Sequence, residues 1–393
     1  MPDPLADELR ERYPRVALTH EWLSVPGGSE KVIEAILRLV PHAEIFCSVY
    51  DPAPFGADIT DRPVHPSFIQ KIPGATSHYP KLLPLMDTAF RRFDLSGFDL
   101  IVSSNHACAK NVRTPPGVPH VCYCHTPMRY AWDPEFLLQE DLGPAARAIV
   151  KPLTAYLRRV DARGATQPTL IAANSSFVAG RVRDWWGRDA QVVHPPIETE
   201  RFLSRERRVA DDAPYLVFGR LVPYKRPDTA VEACRRLGRR LVVAGDGRFM
   251  EHVREAAGGD PNIELRGRVS DAEADELLAT CRALLFPGVE DFGIVPVEAQ
   301  AAGMPVVALN EGGARDSVLD GVTGVLYDDP SAAGLAAAIE RFEDLTLDDA
   351  ALRTHAQDFG PDVFHERFGA MLMQGFDARS MKRGDELMRT GDR

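Results

Sequence analysis

The 393-residue chain carries 46 basic and 57 acidic side chains, a formal net charge of -11, with 45% apolar residues and six cysteines. That balance describes a core-forming polypeptide of about two domains and excludes a disordered tail, a disulfide-stapled module and a dedicated nucleic-acid binder, which needs a dominant cationic face. Its 30 glycines and 31 prolines follow no period, so they mark turns rather than a collagen-like repeat.

The opening stretch, MPDPLADELRERYP, is acidic and proline-containing where a signal peptide needs a basic and then an apolar run. No segment approaches the roughly 20 apolar residues that span a bilayer, so the protein is expected to stay in the cytoplasm. Short apolar runs at 16–19, 45–49, 100–103, 118–123, 169–173 and 191–194 read as strands. Amphipathic stretches at 29–40, 79–92, 145–163 and 177–186 read as helices between them. Cys122 and Cys124 fall on one face of a strand, and no C-x-x-C pair occurs, so the cysteines read as buried thiols rather than metal ligands. His20, His42, His106 and His194 read as structural histidines.

His194-Pro195-Pro196 breaks the pattern. Alternation then restarts, with strands at 215–218, 241–244, 263–265, 283–286, 306–308 and 324–327 and helices at 226–237, 249–257, 272–280, 294–302 and 332–342. The spacing is that of βα units, which makes the fold class α/β with parallel sheets. The expected domains are 1–197 and 198–362, with the active cleft between them. A last helix over 363–374, stopped by Gly375, packs back on the first domain, and a polar tail completes 363–393.

The segment from Leu284 to Gly303 reads as strand, glycine-containing loop and helix, so the backbone N–H groups near Gly293, Ile294 and Val295 can meet an anion. Glu290 in the loop and Glu298 in the helix stand eight positions apart. Two such carboxylates repel a naked phosphate but suit a sugar nucleotide, whose hydroxyls donate hydrogen bonds. Arg220 and Lys225, just past the strand at 215–218, can hold a diphosphate and neutralise charge that grows on it as a bond breaks. With no aspartate cluster of magnesium-like spacing, a metal is not required, although Asp291 and Asp316 keep that possibility open.

In the first half, Gly27 and Gly28 lie in a strand-to-helix turn where backbone can approach a ligand and Ser29 can cap the helix. The segment 125–133 gathers His125, Arg129, Tyr130, Trp132 and Asp133, a mixture suited to a sugar. Arg147, Lys151 and Arg158 share one approximate helix face and offer a patch for acidic lipid headgroups, or an ordinary solvated face. Gly245-Asp246-Gly247 begins like a dinucleotide loop but lacks its third glycine, and no P-loop occurs.

Glu290 through Glu298, Gly219 to Lys225 (GRLVPYK), Pro26 to Glu30 (PGGSE) and Gly245 to Gly247 (GDG) together resemble the retaining glycosyltransferases of family 4, over about residues 15–375. Tyr123 to Asp133 (YCHTPMRYAWD) resembles bacterial mannosyltransferases that build lipopolysaccharide or exopolysaccharide. The resemblance implies a GT-B architecture of two facing Rossmann-like domains. It implies transfer of a sugar, with retention, from a nucleoside diphosphate donor to a hydroxyl of a lipid-linked or oligosaccharide acceptor, without metal or other cofactor. GDP-mannose is the first expected donor and a UDP-sugar the alternative.

By the same resemblance His125, Arg220, Lys225 and Glu290 serve the reacting centre. Gly27, Gly28, Gly245, Arg268, Val269 and the loop and helix from Phe292 to Glu298 bind the donor, with Glu298 on the ribose. Arg129, Tyr130, Trp132 and Asp133 stand on the acceptor side. Asp316 departs from the glutamate of many relatives. A noncatalytic sugar-nucleotide or glycan-binding module and a phosphorylase using inorganic phosphate are the competing readings; no nucleic acid is expected as partner.

Overall fold

The computed structural model describes residues 3–133, 144–203 and 206–390, with side chains except at 144–151 and 377–390. It divides into two α/β units, one of Met1–Pro196 with Asp362–Arg393 and one of Ile197–Pro361. The first is built on strands β1 (Val16–His20), β2 (Glu44–Cys47), β3 (Val64–Pro66), β4 (Leu100–Asn105), β5 (His120–Cys124), β6 (Leu170–Ala173) and β7 (Gln191–Val192). They pair in parallel in the order β3-β2-β1-β4-β5-β6-β7. Helices cover both faces, so the strands read as nearly unbroken apolar runs. Leu18, Ile45 and Val102 face one cluster with the helix Gly28–Leu39, and Ala17, Phe46 and Ile101 face the other with Phe90.

The second unit repeats the plan with β8 (Tyr215–Phe218), β9 (Leu241–Ala244), β10 (Ile263–Gly267), β11 (Leu284–Phe286), β12 (Val306–Leu309) and β13 (Gly324–Tyr327), again all parallel, in the order β10-β9-β8-β11-β12-β13. In both sheets the strand order reverses beside the first strand of the unit, at β1/β4 and at β8/β11. Such a reversal leaves a crevice outside the carboxyl ends of the strands, because the flanking connections depart to opposite faces.

Several expectations are corrected. The helix foreseen over 79–92 divides into a 3-10 turn, Tyr79–Leu82, and a helix Leu83–Arg91, with a proline in the first turn of each, where the missing N–H costs least. The last helix does not stop at Gly375 but runs Pro361–Thr390. Gly375 lies inside that helix, where a Cβ would meet Pro119, the Tyr13 hydroxyl and Val121 at ordinary contact distances of 3.4–3.6 Å. Tyr13 donates to Leu372 O at 2.9 Å, and Phe364 and Phe368 are buried beside Tyr123. The helices Pro4–Arg12 and Asp349–Gln357 and strand β3 were not foreseen.

Among the described residues no helix is long and apolar enough to cross a membrane. The side chains of Arg147 and Lys151 lie outside the described residues, and the Arg158 Nε donates to Ala131 O with its guanidinium over the Trp132 ring. The foreseen basic patch is therefore not carried into the function proposed below.

His120 gives the first unit an acid sensitivity. Its ring lies between Thr114 Oγ1 at 2.9 Å and Ser103 Oγ at 2.8 Å, and burial, helped by the charge of Lys110, pushes it down to about 3. A histidine held neutral in the fold takes up its proton on unfolding, so its contribution is complete above about pH 6.5 and shrinks by about 1.4 kcal/mol per unit below that. Urea unfolding between pH 7 and pH 5 should therefore show a stability decline that is shallower in His120→Gln. Identical slopes in the two proteins would refute this.

Candidate functional site

At the β8/β11 crevice, Phe218 to Leu221 at the end of one strand and Phe286, Pro287 and Glu290 at the end of the other line a small recess open to solvent, joined by Lys225 and Pro227. The loops meet because glycines let backbone touch backbone. Gly245 has φ +141°, and a Cβ there would stand 1.8 Å from Gly219 O; one on Gly288 would stand 2.5 Å from Lys225 Cα. Hydrogen bonds from Gly219 N to Ala244 O (3.0 Å) and from Leu221 N to Asp246 O (2.9 Å) tie the β8 loop to the GDG loop.

The Lys225 ammonium forms an ion pair with Glu290 at 2.8 Å. Both side chains are about one-fifth exposed, so the pair is neither deeply buried nor fully solvated and keeps an open side. Arg220 is exposed, and among the described residues it makes a long 3.5 Å contact to the Tyr224 hydroxyl and pairs with no carboxylate. The recess thus holds one cation already balanced by a carboxylate and a second with little to balance it. The sequence reading assigned Lys225 and Glu290 to different parts of a ligand; their pairing across 65 positions was not foreseen.

Beyond Glu290, Gly293 at φ +87° turns the chain into the helix Ile294–Ala301. Ile294 and Val295 occupy its first two positions, where backbone N–H groups have no intrahelical acceptor, while Pro296 has no N–H to satisfy. Gln300 anchors the helix, donating to Pro296 O at 3.0 Å and Ser317 O at 2.7 Å. Glu298, half-buried, is the fifth residue of the helix. Phe292 differs from its expected place against a ligand: its side chain is buried in the apolar core with Phe359, 5.6 Å between rings, so only its backbone is left for binding. Arg268, exposed, and Val269, half-buried, follow β10 at the same carboxyl edge. Asp316 is the third residue of a single-turn helix, Ala314–Ser317.

In the first unit the β1/β4 crevice is lined by polar side chains. His20 ends β1 and pairs in register with Ser104 of β4. Its Nδ1 is 3.2 Å from Ser104 Oγ and its Nε2 is 3.1 Å from Glu30 Oε1. Ser104 Oγ is also 2.8 Å from Nε2 of His125, the first residue past β5. Glu21 accepts the backbone N–H groups of His106, Ala107, Cys108 and Ala109 at 2.7–3.1 Å, which fixes the loop after β4.

Burial alone would raise the Glu30 carboxyl, but hydrogen bonds from His20 and Ser29 outweigh it and hold Glu30 below its ordinary value. Burial, reinforced by His106 and His20, pushes His125 well below the usual histidine range. Gly27 is the cap and Gly28 the first residue of the helix Gly28–Leu39. Ser29 therefore sits inside the helix rather than capping it, and donates to Glu30 Oε2 at 2.9 Å.

Arg129, Tyr130 and Trp132 form a one-turn helix followed by Asp133. Arg129 and Arg181 approach the Asp133 carboxylate at 3.8 and 3.7 Å. The Trp132 indole N–H is committed to Asp161 at 2.7 Å and its ring stacks on Trp185, centroids 5.9 Å apart, which leaves Trp132 a ring surface but no donor for a ligand. Sequence reasoning missed His20, Glu30 and Ser104. The adjacency of a strand-ending histidine to the Gly-Gly-Ser-Glu turn was the available signal. Among the described residues no group of three or more His, Cys, Asp or Glu stands where it could hold a metal.

Comparison with known proteins supports the architecture. Residues 26–201 match the model of Glycosyltransferase Family 4 and residues 199–359 that of Glycosyl transferases group 1. The chain is 34% identical over 222 residues to D-inositol 3-phosphate glycosyltransferase of Geodermatophilus obscurus, covering 48% of this chain and 49% of that protein. It is 32% identical over 192 residues to a GDP-mannose-dependent alpha-(1-6)-phosphatidylinositol monomannoside mannosyltransferase of Mycobacterium tuberculosis, covering 42% and 50%. These matches thus span about half the length of each relative. Among solved structures, Anabaena HepE in complex with UDP superposes with TM-score 0.65 at 18% identity over 92% of this chain and 100% of that one. Sucrose-phosphate synthase of Thermosynechococcus elongatus gives 0.67 at 18% over 93% and 99%.

Proposed function

We propose, from the matches of residues 26–201 to Glycosyltransferase Family 4 and of residues 199–359 to Glycosyl transferases group 1, that the chain transfers a sugar from a nucleoside diphosphate to an acceptor hydroxyl. The observation that carries this reading is the β8/β11 recess, where Arg220 and the Lys225–Glu290 pair line one cavity and the helix beginning at Ile294 follows the same loop. A diphosphate there meets two cations. Glu290 keeps Lys225 oriented and accepts hydrogen bonds from sugar hydroxyls, and Glu298 does the same for the ribose. As the bond to the anomeric carbon breaks, negative charge grows on the leaving phosphate, and Arg220, Lys225 and the helix amides stabilise it without reorganising.

In this reading the reaction retains configuration. The leaving phosphate takes the acceptor proton on the face it departs from, and no carboxylate is needed as a nucleophile. His125 is assigned by the family resemblance as a hydrogen-bonding group toward a substrate hydroxyl. Arg129, Tyr130, Trp132 and Asp133 are assigned to a saccharide or lipid-linked acceptor, and Arg268 and Val269 to the base, on the family resemblance.

For the donor, UDP-sugars lead, since HepE is described in complexes with UDP, UDP-glucose, and UDP with glucose. This displaces GDP-mannose from first place. GDP-mannose is the second reading, favoured by the mannosyltransferase relative. Incubation with a panel of UDP- and GDP-sugars and saccharide acceptors, with product mass and anomeric configuration read by NMR, tests both. Release of nucleoside diphosphate with a retained glycoside product is expected from one donor. Binding without any product throughout would leave a noncatalytic module, and an inverted product would overturn the retaining step.

A further inference from the structure

The first unit holds a continuous line of hydrogen bonds that the proposed chemistry leaves unused: Glu30 Oε1 to His20 Nε2 at 3.1 Å, His20 Nδ1 to Ser104 Oγ at 3.2 Å, and Ser104 Oγ to His125 Nε2 at 2.8 Å. Glu30, His20 and Ser104 are all buried, with relative exposures of 4%, 0% and 0%, while His125 is partly open. The line therefore runs from the interior to a half-exposed ring. It joins four places in the fold: the first turn of the helix Gly28–Leu39, the ends of β1 and β4, and the residue after β5. Sheet register places them together, since His20 pairs with Ser104 and Ser104 with Tyr123, two residues before His125.

Such a line has a direction. An ionised carboxylate can only accept, so His20 must donate from Nε2. With one proton on a neutral ring, its Nδ1 is bare and accepts the Ser104 hydroxyl proton. That hydroxyl has no second proton, so it accepts in turn from Nε2 of His125. The Ser29 hydroxyl donates to the other Glu30 oxygen at 2.9 Å, and the carboxylate lies in the first turn of a helix, where negative charge is favoured. Each step follows from the one before.

We propose that Glu30 and His20 are positioning residues which, through Ser104, hold His125 as the Nε2–H tautomer and so present its Nδ1 as a hydrogen-bond acceptor to a substrate hydroxyl. Among the described residues no hydrogen bond reaches that Nδ1. The choice of nitrogen matters because an imidazole presenting N–H would instead face an oxygen lone pair, selecting a different group of the substrate or a different rotamer of its hydroxyl. The role of His125 toward substrate rests on the glycosyltransferase reading. The tautomer does not.

Two arms separate these. Histidine-selective 15N NMR on the full chain, without any donor, is expected to show His125 protonated at Nε2 and bare at Nδ1, with its ring N–H slowed in exchange. Ser104→Ala should abolish that slowing, and Glu30→Gln should shift the His20 and His125 ring signals together. A His125 protonated at Nδ1 in the parent protein, as a doubly protonated His20 would impose, overturns the proposal whether or not any variant folds. With the donor found active in the panel, Glu30→Gln should lower kcat by about 10²-fold while leaving donor KM within about threefold, because Glu30 acts on the orientation of a group and not on donor contact. If the tautomer is found as stated but kcat is unmoved, the positioning role is refuted. If no donor turns over, the function falls and the NMR result stands on its own.

Discussion

Lys225→Ala is expected to lower the rate of sugar transfer by about 10²–10³-fold, the loss typical of removing one preorganised donor from developing negative charge. The size of the effect follows from the pairing with Glu290 at 2.8 Å. Removing the ammonium takes one of two cations from the recess and also leaves a half-buried carboxylate facing the place where a diphosphate would lie. The variant therefore replaces an attraction with a repulsion. Arg220→Ala removes only the attraction, since Arg220 is exposed and close to no carboxylate in the structure, and its loss should be large but smaller than that of Lys225→Ala. Glu290→Gln keeps an acceptor for sugar hydroxyls while releasing Lys225, so it should be the mildest of the three. Steady-state kcat/KM with the active donor checks this order, and three variants within about threefold of the parent would contradict the assignment.

The second large effect is on stability. Lys110 and Asp161 are fully buried and 2.5 Å apart. The second carboxylate oxygen of Asp161 accepts the indole N–H groups of Trp132 and Trp186, both at 2.7 Å, and the Lys110 ammonium lies 4.6 Å from the Trp186 ring centre. Burial would lower the Lys110 ammonium, but the charge and hydrogen bond of Asp161 outweigh it and raise it.

Lys110→Met strands a carboxylate in the interior and should cost about 3–5 kcal/mol of unfolding free energy. The double variant Lys110→Met with Asp161→Asn should recover a good part of that loss, because the asparagine oxygen still accepts from the two indoles and no buried charge remains. Denaturant unfolding of the three proteins checks both statements, and a double variant no more stable than Lys110→Met would show that the cost lies in packing instead. Trp132 belongs to the candidate acceptor side, so this buried network also fixes one wall of that region.

Much of the second unit could be read along the chain because its functional groups lie within single βα turns. Glu290, Gly293 and Glu298 fall on one strand-loop-helix segment, and Arg220 and Lys225 on another, so local spacing locates them. The contact between the two segments was not legible. It depends on β8 and β11 being sheet neighbours and on Gly288 letting the backbone of one loop rest on Lys225. The same holds in the first unit, where His125 stood out for its company in 125–133, yet its partners arrive from β1, β4 and the helix after β1. His20, read singly as structural, joins a line of hydrogen bonds to His125 only once register sets it beside Ser104.

Gly375 shows the opposite failure. A glycine near the expected end of a helix was read as a stop, but it lies within a helix that continues to Thr390. Phe292 was grouped with donor-binding neighbours by position, whereas its side chain faces the apolar core. Position in a loop does not say which way a side chain turns. The donor's base was likewise beyond the sequence, since Arg268 and Val269, assigned to it only by the resemblance, carry no base-specific pattern.

The central claim is that the β8/β11 recess of the second unit holds the diphosphate of a sugar nucleotide between Arg220 and Lys225. Equilibrium titration of UDP and of GDP into the parent protein and into Arg220→Ala with Lys225→Ala tests it without requiring an acceptor. One nucleotide should bind the parent and lose at least about 100-fold in affinity to the double variant, as expected when two charge-assisted contacts of about 1.5–3 kcal/mol each are removed. Equal affinity of the two proteins for the nucleotide that binds would contradict the account.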